Sequence, residues 1–473
     1  MNLPDHKTKI VATIGPASES PDVLKQMLLA GMNIVRLNFS HGDFAYHARI
    51  IENVRAAAKA VDRAVAIMAD LSGPKMRIGN LAVEKLELKA GDTFTLTTDD
   101  IVGDAQRVSV SFKRLPQVVK PGELLSLNDG YIQLEVNKVH PTDVVCTVKV
   151  GGELRSRKGL NLPGIDLGIS AFTDRDRECL EFALKHGVDA VSQSFVEGAA
   201  DLNAVREAAR ELGYAPFLIA KIERSRALER LDEILDAADG VMIARGDLGV
   251  EVPIERIALV QKNIMRRANQ RAKPVITATQ MLESMTYYRL PTRAEATDVS
   301  NAILDGTDCV MLSGESATGA FPVESVAMLA RIAAAVEAAR PQITVKEMYA
   351  GIDLTGKVRP MHLVLLGVEA SLEYLKPAAV FTRTDGGTSA RRLAAFHLPV
   401  WTVAMTSSPK TAQDLLFSSG VLPVHEPNAP ASWNARLKEW VRQHQLPGNF
   451  AIFTQRPSAN ALDSNHRMEV IDL

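Results

Sequence analysis

Lys221 and Glu223 stand two residues apart in the apolar run "IAKIE", and Asp247 follows Gly246 in "ARGDLG". In an extended chain residues two apart share a face, so Lys221 and Glu223 point the same way. So do Arg36, Asn38 and Ser40 in "RLNFS". "IMADLSGPKMRIGN" ends an apolar run in Asp70, turns at Gly-Pro and then presents two cations, Lys75 and Arg77. Thr279 closes "PVITAT", and Ser313 and Glu315 close "CVMLSGE". Glu223 and Asp247 are hard oxygen donors, suited to a Mg²⁺ that keeps its waters and shares a phosphate-bearing substrate. Arg36, Arg77 and Lys221 are donors for phosphoryl oxygens, and an arginine can bind two at once. Gly246 lets backbone N–H groups approach an anion, and Thr279 can hydrogen-bond a carboxylate. No Cys–His or Ser–His pair points to acyl transfer. The set predicts phosphoryl transfer, where positioning and charge neutralisation supply most of the catalysis.

Taken singly, each residue has an ordinary reading: a Lys-x-Glu pair is commonly a surface ion pair, and Arg-Gly-Asp arises by chance. Gathered at the ends of successive buried strands, so many polar groups would cost several kcal/mol unpaired, so a shared polar ligand is expected.

The elements that must gather them are legible. "KIVATIG", "MNIVRLNFS", "VAIMADLS", "AVSQSF", "FLIAKIE", "GVMIARGD", "PVITATQ" and "CVMLSGES" are continuous apolar runs separated by amphipathic helical stretches. That alternation predicts an α/β fold, a parallel (β/α)8 TIM barrel with reactive groups at the carboxyl ends of its strands. An open doubly wound sheet is the alternative. Between residues 75 and 164 the rhythm changes to short alternating runs such as "VEKLELKAGDTFTLTTDD", which predicts an inserted all-β lid domain over the active-site face. Residues 1–74 and 165–340 then form the barrel, and 341–473 a C-terminal α/β domain. "GIDLTGKV" (351–358) nearly matches a phosphate-loop motif, but Val358 cannot ligate Mg²⁺ and no apolar strand precedes it.

Bulk properties exclude other classes. With 46% hydrophobic residues, 23% charged and a net charge of -2, the chain has no signature of nucleic-acid or membrane-surface binding. No apolar run reaches the ~18 residues of a spanning helix, and "MNLPDHKTK" lacks a signal-peptide core. Cys146, Cys179 and Cys309 lie far apart, without metal spacing or a disulfide framework. A cytoplasmic protein is expected.

"KIVATIGPAS", "GMNIVRLNFSHG", "KGLNLPG", "IAKIE", "VMIARGDLGVE", "KPVITATQMLESM" and "PTRAEATDVSNAILDGTDCVMLSGESATG" occur in this order and closely resemble the pyruvate kinase family. The resemblance implies phosphoryl transfer from phosphoenolpyruvate to ADP, giving pyruvate and ATP, with Mg²⁺ (or Mn²⁺) as cofactor. By motif, Glu223 and Asp247 would hold the metal. Lys221 would touch the transferring phosphoryl group and stabilise the enolate, Arg36 would bind the same group, and Gly246, Asp247 and Thr279 would hold the substrate carboxylate. Asn38, Ser40, His41 and Arg77 would face the nucleotide phosphates, and Arg175 stands where the family often has a nucleotide-contacting lysine. Ser313 and Glu315 fit a proton relay to the enolate. A homotetramer is implied by resemblance alone. A barrel enzyme of another phosphoenolpyruvate chemistry, or a non-catalytic phospho-metabolite-binding relative, is the competing reading, although Lys221, Glu223 and Asp247 are all present.

Two departures from the family pattern stand out. Many members bind K⁺ through residues like Asn38, Ser40, Asp70 and the backbone oxygen of Leu71, and carry Glu after the Gly-Pro. This chain reads "DLSGPKMR", with Lys75 there, and resembles the subgroup described as K⁺-independent. The ammonium would supply the charge of the ion; Lys75 as a solvated hinge residue is the alternative. In the C-terminal domain "VFTRTDGGTSARRLAAF" resembles the family's phosphate loop: Thr384, Gly387 and Ser389 keep the pattern, but Asp385 adds a negative charge and Thr388 replaces the common Arg. With no glycine-rich effector loop in "TQRPSANALDSNHRMEV", fructose 1,6-bisphosphate is disfavoured; a sugar monophosphate, a nucleotide or no effector remains.

Overall fold

The computed structural model describes residues 3–341, 343–350, 360–457 and 465–473. Eight parallel strands close into a barrel: Lys9–Thr13, Ile34–Asn38, Ala66–Leu71, Ala190–Gln193, Phe217–Ile222, Gly240–Ala244, Val275–Ala278 and Cys309–Leu312. Each pairs with its neighbours in chain order, and the eighth returns to the first. Closure excludes the open doubly wound sheet. The strands are buried almost throughout, between a packed interior and a ring of helices, which is why they read as continuous apolar runs. The helices begin where the sequence offers side-chain caps. Ser20 accepts from the Val23 N–H at the start of Pro21–Ala30, and capping boxes at Thr173 and Thr292 start Asp174–Lys185 and Arg293–Asp305.

Two short helices, Arg245–Glu251 and Gly314–Ala317, follow the sixth and eighth strands directly. Asp247 and Glu315 therefore stand in helical first turns rather than on the strands themselves. The polar, glycine-containing text after Ala244 and Leu312 cannot extend a buried strand, and it turns at the rim instead.

The lid leaves the barrel after the third strand through Gly73, which has φ of 62° and where a Cβ would stand 2.9 Å from the Phe195 ring, and Pro74. Its six-stranded sheet is ordered Leu160–Asn161, Leu124–Leu127, Ile132–Val139, Asp143–Val150, Thr93–Thr97, Arg107–Ser109. Burial alternates along Asp143–Val150, and a separate apolar core runs from Met76 to Leu167. The C-terminal domain is a five-stranded sheet, ordered Val421–His425, Thr402–Thr406, Val380–Arg383, Phe450–Gln455, Arg467–Asp472, with the last strand antiparallel. Helices Pro360–Tyr374 and Trp433–Gln443 cover its opposite faces. The phosphate-loop-like "GIDLTGKV" lies outside the described residues, as do residues 458–464 of the final tail. Among the described residues no helix is long and apolar enough to cross a membrane.

The C-terminal domain also reaches into the barrel. Leu416 and Phe417 join Val11, Ile34, Met68 and Met242 in the barrel's interior cluster, and Phe417 stacks on Phe217 with ring centroids 5.1 Å apart.

Candidate active site

Asp70 is the hub of the rim. Its Oδ2 accepts from Arg36 Nε at 2.7 Å and lies 2.5 Å from Arg36 Nη2, while Oδ1 accepts from Ser192 Oγ at 2.7 Å and lies 3.3 Å from Lys221 Nζ. Thr13 Oγ1 fixes the far side of the same guanidinium by accepting from Nη1 at 3.0 Å. Lys221 Nζ in turn lies 2.9 Å from Glu223 Oε1 and donates to Ser194 Oγ at 2.7 Å. Five of the eight strands thus meet through one carboxylate, one guanidinium and one ammonium.

The charge states follow from this geometry. Burial alone would raise the Asp70 carboxyl, but Lys221, Arg36 and the Ser192 hydroxyl outweigh it and bring it down to about 2. Burial likewise disfavours the Lys221 ammonium, yet Asp70 and Glu223 more than offset this and hold it above its ordinary value. Both groups stay charged at neutral pH. Asp247 is the opposite case: burial, then the neighbouring Glu223, push its carboxyl up to about 6. A half-buried carboxyl that the buried Glu223 makes costlier to ionise is suited to a cation beside it. Among the described residues no cluster of three or more His, Cys, Asp or Glu could cage a metal. The donor set therefore fits a hard ion such as Mg²⁺, held by one or two carboxylates and completed by waters and substrate oxygens.

Thr279 stands at a left-handed turn, with φ of 68° there and 54° at Gln280. Its Oγ1 accepts from Gly246 N at 2.8 Å. A Cβ on Gly246 would stand 3.6 Å from Thr279 Cγ2, filling the space beside that hydroxyl, so glycine keeps the cradle open. Arg245 locks the turn, donating to the Thr279 carbonyl at 2.8 Å and to Asp298 Oδ1 at 2.7 Å.

The residues expected on the nucleotide side are placed as follows. Ser40 Oγ hydrogen-bonds Ser72 Oγ at 2.8 Å, and Asn38 Oδ1 accepts from Ser40 N at 3.1 Å. The His41 imidazole is lowered by burial and then by Lys75, Arg77 and Arg36, so three cations converge near it. Arg77 donates to the Arg157 carbonyl within the lid at 3.0 Å. Arg175 turns toward its own helix: it donates to Glu178 at 2.6 Å and lies over the Phe44 ring. The Leu71 carbonyl accepts from Ser194 Oγ at 2.6 Å. Every oxygen expected to coordinate K⁺ therefore has a hydrogen-bond partner within the protein. Glu315 is buried with both oxygens on backbone, accepting from Ser313 N at 2.8 Å and Leu282 N at 3.1 Å. It braces two loops; a proton relay would have to displace those amides. In the C-terminal domain Gly387 has φ of 78°, and the buried hydroxyls of Thr384 and Ser389 have no protein partner among the described residues.

Reading by polar residue missed Ser192 and Ser194, although "AVSQSF" carries them two apart in an apolar run, the signal that revealed Lys221 and Glu223. It also missed Arg245, Asp298 and the lid residue Asp129, whose charge adds to the rise at Asp247.

A closed barrel with this rim is an α/β-barrel enzyme with an inserted lid. Residues 5–326 match the family model described as pyruvate kinase, barrel domain. A pyruvate kinase of Thermococcus litoralis is 47% identical over 424 residues, covering 89% of this chain and 89% of that protein. One from Clostridium acetobutylicum is 40% identical over 420 residues, covering 88% of each. The crystal structure of a pyruvate kinase from Cryptosporidium parvum superposes with a TM-score of 0.88 at 33% identity, covering 99% of this chain and 96% of that one. The chain belongs to the pyruvate kinase family, whose members are phosphotransferases.

Proposed function

We propose that this rim transfers the phosphoryl group of phosphoenolpyruvate to ADP with Arg36, Lys221, Glu223, Asp247 and Thr279 as its working set, and without K⁺. The observation that carries the reading is the Asp70 carboxylate shared by Arg36 and Lys221, which holds two cations in place before any anion arrives. Preorganised charge of this kind lowers the barrier because no reorganisation is needed when negative charge shifts during transfer. Arg36 binds the phosphoryl oxygens. Thr279 and the backbone at Gly246 and Asp247 bind the substrate carboxylate. A terminal ADP oxygen attacks phosphorus, the bond from phosphorus to the enol oxygen breaks, and the Lys221 ammonium stabilises the enolate left behind. The enolate then takes a proton at its methylene carbon, with Ser313 and Glu315 as candidates for the relay, Glu315 also bracing the Ser313 amide. Glu223 and Asp247 would hold Mg²⁺, or Mn²⁺ as the alternative, whose charge would offset that of the phosphoryl oxygens.

Asn38, Ser40, His41 and Arg77 face the nucleotide phosphates, with Arg175 released from Glu178 to join them. Lys75 supplies the positive charge of the ion. Two unit charges ~4 Å apart at an effective dielectric of ~20 interact by about 4 kcal/mol, enough to orient ADP. The hydrogen-bonded state of Asn38, Asp70 and Leu71 supports the same reading. For Thr384, Gly387 and Ser389 a phosphorylated effector, a sugar monophosphate or nucleotide, suits the buried hydroxyls. A cytoplasmic homotetramer completes the reading by likeness to the family.

The test is pyruvate formation from phosphoenolpyruvate, ADP and Mg²⁺ with tetramethylammonium as the sole monovalent cation, followed by K⁺. Full turnover before K⁺ is expected, and Lys75→Glu should then create K⁺ dependence or abolish activity. Turnover that begins only with K⁺, or a Lys75→Glu enzyme with unchanged K⁺-free turnover, overturns the role of Lys75. Silence under both conditions favours a non-catalytic phospho-metabolite-binding relative.

A further inference from the structure

Arg224 directly follows Glu223 at the end of the fifth strand and is only 2% exposed, the largest side chain so fully buried among the described residues. A guanidinium is costly to bury, so its partners define its purpose. Nη2 donates to the carbonyls of Ile165 at 2.7 Å and Leu162 at 3.3 Å. Nη1 lies 3.4 Å from Glu197 Oε1, and Nε lies 3.3 Å from Glu251 Oε1.

These partners belong to different parts of the molecule. The side chains of Leu162 and Ile165 pack in the lid's own core, where the lid returns to the barrel. Glu251 ends the short helix whose first turn carries Gly246 and Asp247. Its other oxygen accepts from Gly164 N at 3.3 Å and from Ser225 Oγ at 3.1 Å. Arg226 repeats the pattern further out, 2.9 Å from Asp166 and 3.1 Å from Glu197. The lid rests on the same helix a second time: a Cβ on Gly130 would stand 3.3 Å from Val250 Cγ2.

We propose that Arg224 is a positioning residue that clamps the return hinge of the lid, residues 162–166, to the two elements presenting Glu223 and Asp247. The inference rests on the phosphoryl-transfer reading above, because the clamp matters by setting where the lid's Arg77 stands over the rim. Without it the hinge is soft. Gly164 has φ of 72°, and a side chain there would meet nothing within 4 Å. Only the planar fork of an arginine reaches two carbonyls and two carboxylates together; a lysine ammonium is a single point.

The experiment pairs amide hydrogen exchange across residues 160–170 of the metal-free, substrate-free protein with steady-state kinetics. In Arg224→Met, exchange at the hinge should accelerate, and KM for ADP should rise roughly 10- to 100-fold, the usual effect of removing a supporting contact behind a site. KM for phosphoenolpyruvate, held by the rim alone, should stay near the wild-type value. Arg224→Lys should fall between. A merely structural role would lower the melting temperature and the active fraction and move neither KM. Should Arg224→Met fail to fold, Gly164→Ala strains the same hinge without a clash and should show the same split. Wild-type hinge exchange and an unchanged KM for ADP in Arg224→Lys and Gly164→Ala overturn the clamp. A wild-type protein that forms no pyruvate removes the functional reading, while hinge exchange still tests the clamp.

Discussion

The two mouths of the barrel bury charge in opposite ways. At the carboxyl ends Asp70, Lys221 and Arg36 compensate one another, so the carboxyl sits at about 2 and the ammonium above its ordinary value. At the amino ends burial dominates: Lys9 is pulled down to about 8, Arg340 to about 10, and Asp308 is pushed up to about 7. Lys9 and Asp308 serve as hydrogen-bonding parts of a seam. Lys9 Nζ donates to the Val421 carbonyl at 2.8 Å, and Asp308 accepts from the backbone N–H of Ser419 and Val275. The upper mouth keeps full charges fixed for an anion. The lower mouth is closed by Phe417 and joins two domains.

The comparison breaks most visibly at Lys221. Lys221→Met should lower kcat roughly 100- to 1,000-fold, the cost of losing one preorganised donor to developing charge. Steady-state kinetics on folded protein decide this, and a kcat close to wild type would sink the role. At the other mouth Phe417→Ala should cost about 3–5 kcal/mol of stability by opening a cavity against Phe217. Urea unfolding measures it, and KM for both substrates should hold, because the cavity lies at the far end of the barrel. A shift in either KM with unchanged stability would reverse the roles assigned to the two ends.

How much of each mouth was legible differs for a physical reason. Strands of a closed parallel barrel must be apolar on both faces, so any polar residue in them announces itself, and Arg36, Asp70, Lys221 and Glu223 did. Ser192 and Ser194 carried the same signal more faintly, because a serine in a strand need not find a charged partner. The short helices after Ala244 and Leu312 were hidden, since glycine-containing text at a rim reads as loop. Long-range pairs left no trace at all. Arg245 with Asp298, Arg224 with Glu251, and the insertion of Phe417 beneath Phe217 depend on chain segments meeting in space, which no local period encodes. Even Asp70, visible as a residue at a K⁺ position that this chain was expected to leave vacant, hid its bonds to Arg36 and Lys221.

The smallest effect separates the mouths by pH. Burial raises the Asp308 carboxyl from 3.8 to about 7, with the Ser419 and Val275 amides opposing it. A carboxyl raised on folding favours the native state while protonated, so its contribution is full below pH ~4 and is lost as pH rises through ~7. Lys9, lowered to about 8, titrates above this window. Asp308→Asn removes one backbone acceptor and should cost about 1–3 kcal/mol near pH 4. It also removes the penalty of ionising a buried acid, so its unfolding free energy should approach that of the wild type as pH rises past 7. Other carboxylates titrate equally in both proteins and cancel in the difference. Urea unfolding of the pair at pH 4, 6 and 8 measures it. Curves that stay parallel would mean Asp308 is already ionised in the native seam, and the lower mouth would then hold paired charge as the upper one does.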